Sequence, residues 1–302
     1  MDDMYPLSCR IFATGGAIGD CLFLFCSGFT LFMGQMKSFD NYYKRRINRI
    51  YPSVFAAILF VHLLNGRTAV EAREFYIDPG FVTAIMVYYI ILWFVRKYLI
   101  NKIMFVLFGV VTISLLIYIF WFPYKYETSS NGLYGTLTLY RWIPYFAMML
   151  SGAYIGINKE QIKFNIKLDT VKLFVCLLLF YGIQLAAKKV TSIAPLQIIT
   201  LLPLFGIVIY LYKICNSYLF EKIYNNKICN WLIMVIGGLC LESYLIQFSL
   251  FTTKFNDFFP LNLVLIGLLI LICAYFVRCL ARLFSQTFRT EDYEWKAIFK
   301  LS

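Results

Sequence analysis

Nine long apolar segments divide this chain and constrain its fold more than any other feature. They cover roughly residues 17–33, 50–65, 80–95, 103–123, 141–157, 168–187, 195–212, 229–251 and 260–281. A helix needs about 17–25 residues to cross a bilayer, and these segments are too long and too continuously apolar for the alternating strands of a membrane barrel. Because backbone groups in lipid must be hydrogen-bonded internally, we predict an all-α, polytopic membrane helix bundle of about nine transmembrane helices, forming a single domain over residues 1–302.

Composition excludes a water-soluble protein. Hydrophobic residues make up 61% of the chain and charged residues 15%, whereas soluble proteins carry about 25% charge. The net charge of +12 arises from cations dispersed over the loops between the segments. A lipid bilayer explains this pattern, and we expect no nucleic-acid partner.

The loop charges also predict sidedness. If the loop after the first segment is inside and the segments alternate, the cytoplasmic loops hold 20 of the 28 Lys and Arg residues. Because Lys and Arg accumulate on the cytoplasmic side, we predict a multi-pass protein of the cell (cytoplasmic) membrane with a cytoplasmic C-terminus. The same count places residue 1 outside without a visible signal peptide, so we expect a further span before residue 1.

A dense cationic cluster lies in NYYKRRINRIYP, residues 41–52. If this segment is helical, Arg46 and Arg49 lie at i and i+3 on one face, and Arg45 is one turn from Arg49. Permanently charged, planar guanidinium groups at this spacing suit bidentate binding of phosphate. The alternative is that these residues only fix topology.

Four polar side chains within the apolar segments are candidates for a functional role. Asp20 lies near the outer end of the first, either facing the bundle or in the headgroup region, and His62 lies at the outer end of the second. Glu242 lies deep in the eighth, where an ionisable residue marks a functional site or a buried partner. Gln247, on the same segment, is better explained by hydrogen bonding between helices. With a single histidine and no CxxC pair, the sequence predicts no metal site.

Several motifs together resemble a known family. FLFCSGFTLF (23–32) resembles the FFxxSGFxL element of the integral-membrane acyltransferase family 3, and YYKRRINRIYP (42–52) resembles the arginine element that follows it. YYIILWFVRKYLI (88–100), YFAMMLSGAYIG (145–156) and LESYLIQFSLF (241–251) resemble three later elements in the same order. Members of this family O-acylate surface polysaccharides and similar acceptors.

The resemblance implies roles for particular residues. Arg46 and Arg49, with Arg45 beside them, would bind the phosphates of an acyl-CoA donor, most simply acetyl-CoA, and no cofactor would be bound permanently. Ser27, Gly28 and Phe29 would line a closely packed centre. Gln247 stands where the family has a histidine, and the histidine that serves the family as catalytic base has no counterpart here.

The sequence therefore predicts a membrane O-acyltransferase homologue that transfers an acyl group, most simply acetyl, from acyl-CoA to a hydroxyl of a cell-surface polysaccharide or its lipid-linked precursor. Activating that hydroxyl requires a base. Glu242 and His62 are the weak substitutes, so we expect little or no activity unless one of them serves or a preceding span supplies the base. The alternative is a non-enzymatic transporter or flippase-type component of polysaccharide export. A glycan polymerase or glycosyltransferase would need a large soluble loop, which the sequence lacks.

Overall fold

The computed structural model describes residues 15–66, 80–121, 133–134, 139–252, 254–288 and 290–300, and every regular element within them is helical. The α-helices in chain order are α1 Gly16–Met33, α2 Phe39–Leu64, α3 Phe81–Tyr98, α4 Ile103–Trp121, α5 Trp142–Ile157, α6 Ile166–Lys189, α7 Leu201–Cys215, α8 Tyr218–Asn225, α9 Lys227–Gly238, α10 Cys240–Leu250, α11 Leu261–Thr287 and α12 Trp295–Ile298. A three-residue 3-10 turn, Leu139–Arg141, precedes α5, and a ten-residue 3-10 helix, Thr191–Thr200, precedes α7. The predicted all-α architecture is confirmed.

The polytopic character is confirmed as well. Among the described residues, seven helical spans are long and apolar enough to cross a membrane, and the bent pair α9–α10 makes eight if it forms one span. The remaining predicted segment, 141–157, corresponds to α5, which has 16 residues. A straight crossing needs slightly more.

Two helices differ from the predicted segments for physical reasons. α2 begins at Phe39, well before the apolar segment at 50–65, because helical hydrogen bonds do not require apolar side chains and Asp40 in the first turn favours the helix N-terminus. The segment 229–251 is divided at Leu239, where α9 and α10 meet at a bend of 64°. Gly237 and Gly238 precede the bend, and glycine weakens a helix interior.

Large apolar side chains on α4 lie open on the protein surface. Phe105 is 77% exposed, Phe120 69% and Trp121 75%. Water would disfavour such a surface, whereas lipid acyl chains match it. The exposed surface of α4 is therefore suited to contact lipid, as the composition predicts.

The helices form two compact units. The first unit contains the described parts of Lys37–Thr83 and Lys222–Ser302, and so includes α2 and α9 to α12. Here α2, α10 and α11 pack on one another around a core of small and aliphatic side chains. The buried members of this core are Ala56, Ala57, Leu239, Ile246, Ala274, Val277 and Ala281. Small residues allow the helices to approach closely.

The second unit contains the described parts of Leu7–Met36 and Ala84–Glu221. Its centre is the packing of α1 on α5, and twelve of the sixteen residues of α5 are buried. On a neighbouring helix pair, Lys213 of α7 forms a 2.6 Å salt bridge with the buried Asp169 of α6. The Arg96 guanidinium donates hydrogen bonds to the carbonyls of Leu31 and Gly34, and so satisfies backbone groups at the end of α1.

The crossing of α1 and α5 is unusually close because glycines lie on both helices. A Cβ atom added to Gly28 would lie 1.9 Å from the Met149 carbonyl oxygen, and one added to Gly152 would lie 2.1 Å from the Phe25 carbonyl oxygen. Gly156, four residues after Gly152, approaches the Phe29 carbonyl oxygen in the same way. Because the pairs 25–152 and 29–156 keep the same offset, the two helices run parallel. Their N-terminal ends therefore lie on the same side of the unit.

Candidate functional site

A buried carboxylate lies at the centre of the first unit. The Ser53 hydroxyl of α2 donates a 2.8 Å hydrogen bond to Oε1 of Glu242 on α10, and each residue is 5% exposed. The other carboxylate oxygen, Oε2, is shielded from solvent and has no hydrogen-bond partner among the described residues. Burying a carboxylate in an apolar bundle is costly, and such groups usually serve a function. The contact also identifies Ser53, which no sequence motif singled out.

The arginines of α2 lie on the same helix as Ser53, the hydrogen-bond partner of this carboxylate. Residues 39–64 form one helix, so the predicted i, i+3 spacing of Arg46 and Arg49 holds. Ser53 continues the same stripe at i+7 from Arg46, about 11 Å along the helix axis. Arg45 and Arg49 are exposed, while Arg46 is half-buried with its guanidinium 5.4 Å from the centre of the Tyr42 ring. One face of α2 thus joins exposed cations to the buried Ser53–Glu242 pair.

Two further arginines come from α11. The Arg282 guanidinium interacts electrostatically with Glu242 and with Arg278, and it donates hydrogen bonds to the carbonyls of Ile298 and Lys300. Arg278 is half-buried, and its Nη1 has no hydrogen-bond partner among the described residues. In the charge pattern of the sequence, both arginines are among the 20 Lys and Arg residues assigned to the cytoplasmic side. Their helical spacing of i, i+4 near the end of an apolar segment was the signal that could have identified them.

Gly238 leaves space for one of these arginines. A Cβ atom added to Gly238 would lie 2.7 Å from Nη1 of Arg278. Gly238 also ends α9 immediately before the bend at Leu239. The break between α9 and α10 therefore accommodates the Arg278 side chain, and Glu242 follows in the first turn of α10.

His62 lies away from this cluster. It is on α2, nine residues beyond Ser53, which corresponds to about 14 Å along the helix. It is 8% exposed, and its Nδ1 lies 3.0 Å from the Ile58 carbonyl oxygen of the preceding turn. Gln247 is half-buried on α10 and projects from a face about 140° away from Glu242. Of the two substitute bases that the sequence offers, the structure places Glu242 beside the arginine stripe.

The residues Ser27, Gly28 and Phe29 belong to the second unit. Gly28 occupies the close crossing of α1 and α5, and the Ser27 hydroxyl lies 3.0 Å from the Tyr89 hydroxyl. The Phe29 ring packs 5.3 Å from the Tyr212 ring, measured between centroids. All three residues therefore contribute to packing between helices. Whether they also line a substrate site is not tested by these contacts and stays a prediction.

Tyrosine hydroxyls of the second unit form hydrogen bonds near the segment 124–140, most of which lies outside the described residues. The Tyr134 hydroxyl lies 2.6 Å from Oγ1 of Thr200, and the Tyr140 hydroxyl lies 2.7 Å from Oγ of Ser114. Burial raises the pKa of Tyr134 and raises the pKa of Tyr140 to about 12. Both phenols therefore stay protonated at neutral pH, so they serve as hydrogen-bonding groups and not as bases.

Comparison with known proteins identifies the family. The model of the family described as "Acyltransferase domain", acyltransferase family 3, matches residues 4–279. No curated protein and no solved structure matches the chain. The family match covers the arginine stripe of α2, the whole of α10 and the first 19 of the 27 residues of α11. This chain therefore belongs to acyltransferase family 3 and is a membrane acyltransferase homologue.

Proposed function

We propose that this protein transfers an acyl group, most simply acetyl, from acyl-CoA to a hydroxyl of a cell-surface polysaccharide or its lipid-linked precursor. The observation that carries the proposal is the arrangement in the first unit. The stripe of Arg46, Arg49 and Ser53 leads to Glu242, one carboxylate oxygen of which is held by Ser53 while the other has no partner among the described residues. The proposed phosphate-binding arginines and a carboxylate able to accept a proton therefore occur on two packed helices.

The arginines of α2 would hold the donor. Coenzyme A carries several phosphate groups, and guanidinium groups bind phosphate through two parallel hydrogen bonds. The exposed Arg49 and Arg45 and the half-buried Arg46 would offer such bonds at the end of α2 that would meet soluble acyl-CoA. We place this end at the cytoplasmic face of the cell membrane because loop cations accumulate on the same side as the C-terminus, as the charge pattern predicts.

Glu242 would act as the base. As the acceptor hydroxyl attacks the thioester carbonyl, its proton passes to Oε2 of Glu242 and a new C–O ester bond forms. The C–S bond breaks, and the CoA thiolate takes the proton back from Glu242, so that the products are an ester and free CoA. The hydrogen bond from Ser53 holds Oε1 and so leaves Oε2 as the oxygen that would take the proton. A positioned base contributes about 10²–10⁴-fold to such a reaction.

The proposal is tested with the full chain in lipid nanodiscs. Radiolabelled acetyl-CoA is supplied with a lipid-linked oligosaccharide acceptor, and transfer of label and release of free CoA thiol are both measured. Transfer that depends on Glu242 supports the proposal. Movement of the oligosaccharide lipid between leaflets without any transfer of label would instead support the export component and overturn the acyltransferase proposal.

A further inference from the structure

The second unit contains a buried group of polar side chains that the proposed reaction does not use. Arg141 ends the 3-10 turn before α5 and is 7% exposed, and Tyr145 lies one turn later and is 1% exposed. Asp20, in the second turn of α1, interacts electrostatically with both of them. These three residues are referred to below as the Asp20–Arg141–Tyr145 cluster.

Helix packing brings this cluster together. α1 and α5 run parallel, and Gly28 on one helix and Gly152 and Gly156 on the other allow their backbones to touch. Asp20 and Tyr145 lie near the N-terminal ends of these helices, which are on the same side of the unit. The glycines at the crossing therefore fix the position of the cluster.

The cluster has hydrogen-bonding groups that no described residue satisfies. Nε of Arg141 and the hydroxyl of Tyr145 are shielded from solvent and have no hydrogen-bond partner among the described residues. Native proteins rarely leave such groups unpaired, since an apolar side chain of similar shape would be more stable. The unpaired groups of Arg141 and Tyr145 therefore indicate a ligand at the cluster.

The charges of the cluster select the class of ligand. The cluster contains one anion, Asp20, and one cation, Arg141, which interact with each other. Asp20 would repel an anionic ligand, and Arg141 would repel a cationic one. A neutral molecule with several hydroxyls fits, because each hydroxyl both donates and accepts. Arg141 would donate to it, Asp20 would accept from it, and Tyr145 could do either.

We propose that the Asp20–Arg141–Tyr145 cluster binds a neutral sugar residue. Its identification as the acceptor glycan rests on the function proposed above, whereas the binding of sugar by the cluster does not. Glucose, galactose and N-acetylglucosamine are suitable probes because they are neutral and rich in hydroxyls.

The experiment uses the full chain in nanodiscs, with binding of each sugar measured by saturation-transfer-difference NMR. Tyr145→Phe should weaken sugar binding about fivefold, the value of one neutral hydrogen bond. It should leave the melting temperature unchanged or higher, because that hydroxyl has no partner among the described residues. Asp20→Asn should weaken binding as well.

A matched control is Tyr118→Phe, which removes the hydroxyl of another buried tyrosine in the same unit. The Tyr118 hydroxyl donates a 2.9 Å hydrogen bond to the Pro195 carbonyl. This variant should lower the melting temperature and leave sugar binding unchanged. Equal sugar affinity in Tyr145→Phe and the unaltered chain would overturn the inference, as would the absence of sugar binding in a chain that binds CoA. Sugar binding by a chain that does not bind CoA would count against the proposed acyl transfer and leave the sugar site standing.

Discussion

The Ser53 hydroxyl donates a 2.8 Å hydrogen bond to Glu242 across 189 positions of sequence, and this contact joins α2 to α10. Ser53 lies on the same face of α2 as Arg46 and Arg49, two and one turns away. A proposed phosphate-binding stripe and a proposed base are thus connected through one helix face.

Replacing the proposed base should abolish turnover without unfolding the protein. Glu242→Gln retains an oxygen that accepts the hydrogen bond from Ser53 but cannot take a proton, so acyl transfer should fall by about 10²–10⁴-fold. Initial rates of CoA release with an acceptor present measure this change. Glu160→Gln, at an exposed carboxylate, is the control and should keep the original rate. If His62→Ala abolished turnover and Glu242→Gln did not, His62 would be the base.

Removing the proposed phosphate ligands should weaken donor binding. Arg46→Ala and Arg49→Ala should each cost roughly 1.5–3 kcal/mol of CoA binding free energy, the value of a charge-assisted hydrogen bond. Lysine at either position should restore little affinity because it lacks the planar fork. Isothermal titration with CoA in nanodiscs provides the measurement. Lys102→Ala removes an exposed cation of another loop and serves as the control. Unaltered affinity after loss of both arginines would refute the clamp.

The positions of the helices could largely be predicted from sequence because the bilayer imposes a length and an apolar composition. The bend at Leu239 could not, since apolar content sets the length of a segment but not its straightness. The pair Gly237 and Gly238 was visible in the sequence, and only packing shows that Gly238 makes room for Arg278. Likewise α5 is apolar enough for the outside of a bundle, yet its packing on α1 buries most of it.

The site could be predicted only in part. Glu242 and the arginines of α2 stand out because charge in an apolar context is rare. Ser53 does not, because serine is common in membrane helices and its role depends on a contact with a helix far away in sequence. The Asp20–Arg141–Tyr145 cluster was missed for the same reason: the sequence identifies Asp20, but its proximity to Arg141 follows from the parallel packing of α1 and α5.

Sidedness can be tested by labelling. The charge pattern predicts that a cysteine at position 130, which lies outside the described residues, is modified by an impermeant maleimide added to intact cells. A cysteine in place of Asn165, the residue that caps the start of α6, should be protected until the membrane is permeabilised. Both variants require a background in which the native cysteines are replaced, since several are exposed. The reverse labelling pattern would contradict the predicted cytoplasmic position of the arginine stripe.

The close crossing of α1 and α5 should tolerate no side chain. In Gly28→Ala the new Cβ would lie 1.9 Å from the Met149 carbonyl oxygen, so the two backbones must separate, at a cost of about 1–3 kcal/mol or more. Gly19→Ala is the matched control on the same helix, because a Cβ there would meet nothing within 4 Å. Alanine normally stabilises a helix relative to glycine, so this variant should melt at the same temperature or higher. Thermal unfolding in detergent compares the two, and equal melting temperatures would show that the crossing is looser than the glycine contacts require. If the crossing also positions Asp20 beside Tyr145, Gly28→Ala should weaken sugar binding while Gly19→Ala does not.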